Sequence, residues 1–241
     1  MPTSDSTPRR EFLGQAALTA VALAAACTTP TTAAAPASPA PTPRQAPDPE
    51  ETTPPPAPTT WDNSWFDRLT AKHKAVFEQF EIDNGSAPSY ATRYLNGVHA
   101  ALGKDAAAQT VVVFRHQAVP LVFNDAMWEK YAIGEERKLK AQGGAWATRN
   151  PVSMSRRANA NASGEPQANV KWLIDNGHLV LGCDLAARNY STIIAKRVNR
   201  DAKSIYAELA ANILPGVIMQ PNGVYATLRA QEAGCTYIRC P

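Results

Sequence analysis

The chain has 241 residues, 44% hydrophobic and 19% charged, with 20 Pro, 13 Gly and 4 Cys. That suffices for one globular domain, and four cysteines are too few for a disulfide scaffold. The net charge is +3, and residues 61–241 hold 21 Lys and Arg against 16 Asp and Glu. So small and scattered a surplus leaves no electrostatic footprint for nucleic acid.

Thr7-Pro8-Arg9-Arg10-Glu11-Phe12-Leu13 opens an uncharged, Ala-rich stretch over residues 12–26 that ends at Cys27. Paired arginines before a weakly apolar run resemble a twin-arginine export signal, so residues 1–27 are expected to direct export to the periplasm or the cell exterior. The run is too short to span a bilayer as a mature helix. Ala24-Ala25-Ala26 suits ordinary signal peptidase, while Leu23 stands one place early for a lipobox. Simple cleavage with release, and lipidation of Cys27 with tethering to a membrane, both stay open; a lipid anchor is the sole membrane contact expected.

Residues 28–60 carry 11 of the prolines among Ala and Thr. Such a segment buries too little surface to offset its chain entropy and is expected to be disordered or polyproline-like. Extended at about 3.1 Å per residue, it reaches roughly 100 Å. A folded head is expected over residues 61–241.

Within the head, strands are expected at 73–80, 110–116, 178–183, 217–220 and 235–238, the second and third as near-continuous apolar runs. Helices are expected over 88–102, from Asn124 through Tyr131, over 170–176, 185–198 and 203–212, and over 223–233. Residues 134–168, with Gly143-Gly144 and Arg156-Arg157, read as a polar excursion. Strands alternating with helices predict an α/β domain: a parallel sheet with helices on both faces and a ligand outside the carboxyl ends of the strands.

Those ends supply His116, Cys183-Asp184 and Asn222-Gly223. Cys183 sits where a buried strand turns into a helix, and amides at a helix N-terminus favour a thiolate. The competing reading is a small buried residue that packs and never reacts. His116 is a candidate pocket residue or a structural strand-end group. His73, His99 and His178 show no metal-ligand spacing, and no phosphate loop, dinucleotide fingerprint or nucleophile elbow occurs. Neither a metal nor a cofactor is expected. Cys235 and Cys240, if joined by extended chain, stand about 16 Å apart, too far for a bond.

Several strings read together resemble the DsrE/DsrF-like family: Val113-Phe114-Arg115-His116-Gln117-Ala118-Val119-Pro120, Phe123-Asn124-Asp125-Ala126-Met127-Trp128-Glu129-Lys130-Tyr131, Gly182-Cys183, and residues 214–217, 221–224 and 231–234. The likeness spans roughly residues 71–239. It implies a three-layer α/β/α fold with a mostly parallel five-stranded sheet, flavodoxin-like in its layers, assembled as a trimer or hexamer. In sulfur-relay members a cysteine matching Cys183 accepts and passes on a persulfide sulfur. Two features set this chain apart: an exported proline-rich stalk, where relay members are cytoplasmic, and the longer insertion at 134–168. Fold alone does not carry function.

Two functions are therefore expected in competition. One is a sulfur-accepting, sulfur-transfer protein with Cys183 as acceptor and a sulfur donor or acceptor protein, or a small sulfur compound, as partner. The other is a non-catalytic small-ligand-binding or oligomeric interaction module using the same strand-end cleft. His116, Asn124, Asp184, Asn222 and Gly223 are the expected pocket residues in either case.

Overall fold

A computed structural model describes residues 54–141, 143–153 and 169–241. Residues 1–27, where the export signal and Cys27 are expected, most of the proline-rich stretch, and Arg156-Arg157 of the excursion lie outside the described residues. Among the described residues no helix is long and apolar enough to cross a membrane.

Five strands form one sheet: β1 His73–Gln79, β2 Ala108–Phe114, β3 Leu179–Cys183, β4 Ile218–Gln220 and β5 Thr236–Cys240. All pair in parallel, in the order β4-β3-β2-β1-β5. Around them lie α1 Ala87–Leu102, α2 Asp125–Lys130, α3 Ile133–Glu136, α4 Val170–Asp175, α5 Asp184–Val198, α6 Ala202–Ala211 and α7 Gly223–Glu232. The head is thus the three-layer α/β/α fold expected, with an all-parallel five-stranded sheet.

Strand order distributes the helices. From β1 to β4 the chain steps steadily in one direction, so right-handed crossovers deposit every intervening helix on one face. There Phe77, Val112, Phe114 and Val180 pack with residues of α1 through α6. Only the return from β4 to β5 runs the other way, and it places α7 on the opposite face. Val76, Val111, Val113, Leu179 and Leu181 meet Ala226 and Ala230 of α7 there, and Trp65 and Leu69 from the amino-terminal side complete that thinner layer. β3 is buried along its whole length, which is why it reads as an uninterrupted apolar run. β5 is an edge strand and leaves Tyr237 and Ile238 more than a third exposed.

Boundaries shift where local chemistry wins over periodicity. The second strand ends at Phe114, because His116 adopts a left-handed backbone (φ 52°) and opens a 3-10 helix over His116–Val122. The break between α5 and α6 is made by left-handed Asn199, followed by Asp201, whose carboxylate accepts the Ser204 amide at 2.8 Å and caps α6. Order also begins before Trp61: Pro55 is buried, and its carbonyl accepts a bond from Arg188 on α5.

Candidate functional site

Cys183 ends β3 as the sequence predicts, and it is the N-cap of the 15-residue helix α5. Its Sγ accepts the Ala186 amide at 3.3 Å. Cys183 is 5% exposed, as the packing reading of this residue expects. Cys183 sits beside Gln220 at the end of β4, and the Gln220 side-chain amide reaches out to the Asp62 carbonyl at 2.8 Å. The amino-terminal segment therefore crosses over this pair of strand ends.

The other two thiols are held in the protonated form by burial. Burial pushes Cys235 up to about 11. Burial, with the Glu78 carboxylate adding to it, pushes Cys240 up to about 12. Both remain protonated at neutral pH.

Asp184, the next residue, is 2% exposed and lines a cavity of about 200 Å³. Arg188 one turn along α5 donates to one carboxylate oxygen at 2.7 Å, and the Tyr206 hydroxyl of α6 donates to the other. Burial, and then Asp184, hold the Tyr206 phenol well above its ordinary range. The remaining walls are Pro58, Trp61, Phe123, Ala187, Ala210, Ile213 and Met219. The site is thus a hydrocarbon and aromatic chamber with one neutralised acid at its edge, at the carboxyl end of β3 and β4. A larger cavity of about 320 Å³ lies at the amino ends of the same strands, between α4 and Leu214-Pro215-Gly216, and holds none of the predicted site residues.

Asn222 and Gly223 come to the neighbouring strand end, where the Leu185 amide bonds the Pro221 carbonyl at 3.2 Å. Asn222 spends its side-chain oxygen on the Tyr225 amide at 2.8 Å, capping α7. Gly223 serves clearance: a Cβ there would stand 2.4 Å from Arg115 Cβ. That clearance lets Arg115 run along the start of α7 to the buried Glu78, which it holds at 2.5 and 3.1 Å. Thr227 and Tyr237 complete the shell at 3.0 and 2.7 Å. Burial pushes Glu78 up, but these bonds outweigh it and its carboxyl lies below the ordinary range. Gly223→Ala is expected to displace Arg115 and destabilise the head by about 1–3 kcal/mol, read as a lowered midpoint in urea. An unchanged midpoint would remove the clearance role.

Of the five predicted pocket residues Asp184 alone lines the cavity; Asn222 and Gly223 are corrected to the capping and clearance roles just described, and His116 and Asn124 lie elsewhere. His116 is exposed and stacks on Phe80 with ring centroids 4.0 Å apart, while the Arg115 guanidinium lies 4.7 Å from the same ring. Asn124 is corrected from pocket residue to structural cap. Its side chain accepts the Met127 amide and donates to Asn212 at 2.9 Å, fastening α2 to the turn after α6. Among the described residues no group of three His, Cys, Asp or Glu side chains could hold a metal ion.

Sequence reasoning missed Trp61, Phe123, Tyr206 and Met219, which come from four separate stretches of chain and meet only in space. It also passed over two legible signals: the Asp184 and Arg188 spacing of four on one helix, and Glu78 inside an apolar strand.

No protein-family model matches the chain, and no curated protein matches it. Among solved structures it is similar to the protein of unknown function MTH1491 from Methanobacterium thermoautotrophicum, at 15% identity, covering 70% of this chain and 100% of that one, with a TM-score of 0.34. A likeness of that size carries no argument about activity.

Proposed function

We propose that the head is a non-catalytic binding module that takes a small molecule in the cavity beside Asp184. One observation carries the reading: the cavity opens at the carboxyl end of β3 and β4 and is lined by Asp184, whereas the neighbouring Cys183 sulfur is buried and already engaged. Small-molecule sites favour such a place in a parallel sheet, with apolar walls and few polar groups. A ligand-observed NMR screen of small fragments tests it. Hits are expected that disappear in Ala210→Trp, where the new indole fills the cavity from α6. A screen without hits sensitive to this substitution would refute the reading.

A second reading has its own support. The Ala186 N–H in the first turn of α5 points at the Cys183 Sγ, so the sulfur stands as an acceptor at a helix start, where a nucleophilic sulfur is commonly placed. In that reading the Cys183 thiolate attacks the outer sulfur of a donor persulfide, and the donor leaves as its thiolate. Native protein incubated with a persulfide donor and weighed intact separates the two readings. The binding reading expects no gain of about 32 Da, and a gain lost in Cys183→Ala would favour the relay and the DsrE/DsrF-like resemblance. Export on a proline-rich stalk suits a binding head, which needs no partner carrier.

A further inference from the structure

Residues 54–63 join the proline-rich stretch to the head, and their hydrogen bonds reach the carboxyl end of the sheet at two points. At one, the Pro55 carbonyl accepts Arg188 Nη1 at 3.3 Å, while Nε of the same guanidinium holds Asp184. At the other, Gln220 donates to the Asp62 carbonyl, and the Tyr225 hydroxyl donates to Asn63 Oδ1 at 3.1 Å. Between these anchors Pro58 and Trp61 form one wall of the Asp184 cavity. We infer that residues 54–63 are the lid of this cavity, and that its ligand is an uncharged ring compound with one N–H or O–H donor. The inference rests on the binding reading above and adds a ligand class and a closing element to it.

The ligand class follows from the walls. Pro58, Trp61, Phe123, Tyr206 and Met219 offer carbon surface and ring faces. Asp184 already has Arg188 as counterion, so a charged ligand would lose its hydration with nothing to offset the loss. A carboxylate only accepts hydrogen bonds, so the ligand group that meets Asp184 must donate. A dry cavity of about 150 Å³ holds a single benzene ring, so about 200 Å³ suits one ring or two fused rings.

Lid and ligand are linked because they share a surface. A ligand that touches Pro58 and Trp61 binds the closed arm better than the open one, so occupancy holds the arm down and a docked arm tightens the ligand. Arg188 ties the two together, since its guanidinium bonds both the acid that faces the ligand and the carbonyl that anchors the arm. Occupancy would thereby be felt in the segment that leads to the stalk.

Indole, a fused ring with one N–H, is the probe, applied to the full chain by calorimetry and by hydrogen exchange read in peptides covering residues 54–64. The expected result is one-to-one binding, with exchange in those peptides slowed at least fivefold at saturation. Indole-3-carboxylate, the same ring with a charge, is expected to bind at least tenfold more weakly. Trp61→Ala is expected to weaken indole at least tenfold and to cancel the slowing. Pro58→Gly, which loosens the arm while keeping Trp61, moves both readouts in the same direction, and circular dichroism confirms the fold of each variant. Ala210→Trp abolishes indole binding and leaves arm exchange at its ligand-free rate. Indole bound with unchanged exchange, and with unchanged affinity in Trp61→Ala, would overturn the lid while the binding reading stands. Indole-3-carboxylate binding as tightly as indole, or indole failing where other fragments bind, would overturn the ligand class alone. Failure of every fragment would bring down the binding reading itself.

Discussion

Arg115→Met lowers the stability of the head by about 2–4 kcal/mol at neutral pH, because it strands a carboxylate in the sheet. Glu78 is 4% exposed and draws on Arg115, Thr227 and Tyr237 for its hydrogen bonds. The substitution keeps the aliphatic stem against Gly223 and removes only the charge and its donors. The pH dependence follows from the sign of the shift. Glu78 has its folded pKa below the unfolded value of about 4.3, so its contribution is present above that value and fades as pH falls through the folded pKa. Without Arg115 the burial that opposes ionisation prevails, and the variant is penalised at neutral pH and relieved in acid. Urea titrations of both proteins should therefore diverge most at pH 7 and converge toward pH 3. A gap of equal size at both ends would show that lost packing, not the carboxylate, sets the cost.

Asp184→Ala is expected to cost about 3–5 kcal/mol, the effect of leaving one partner of a buried ion pair behind. Arg188, 15% exposed at its side chain, would retain only the Pro55 carbonyl, and the Tyr206 hydroxyl would lose its acceptor. Tyr206→Phe removes one hydrogen bond to a charged group and is expected to cost about 1.5–3 kcal/mol. Chemical denaturation of the two variants gives the ratio. The tyrosine supplies a second readout: with Asp184 gone, the Tyr206 phenol moves back toward its ordinary range in an ultraviolet pH titration of folded protein. Asp184→Ala within 1 kcal/mol of the parent would mean that the acid is solvated and the cavity wetter than the fold implies.

The sheet was legible in the chain because its signals are local. β2 and β3 announce themselves as apolar runs, and Gly103 and Gly177 close the elements before them. Asn124 and Asn222 occupy N-cap positions that residue type alone suggests, whereas Cys183 caps α5 without belonging to a cap-forming type. The left-handed turn at His116 was not legible, since nothing local singles out this histidine for that backbone, and its ring stacks on Phe80 from a distant stretch.

Placement of the site divides along the same line. Sequence by itself determined that the strand ends carry Cys183-Asp184 and Asn222-Gly223, because strand and cap chemistry act over a few neighbouring residues. Only the tertiary structure decided what those residues can do. What Gln220 at the strand end bonds depends on Asp62, more than a hundred residues earlier, and whether Asn124 binds or braces depends on Asn212. Exposure and pairing are properties of contacts between distant stretches, and a one-dimensional pattern holds no record of which stretches meet.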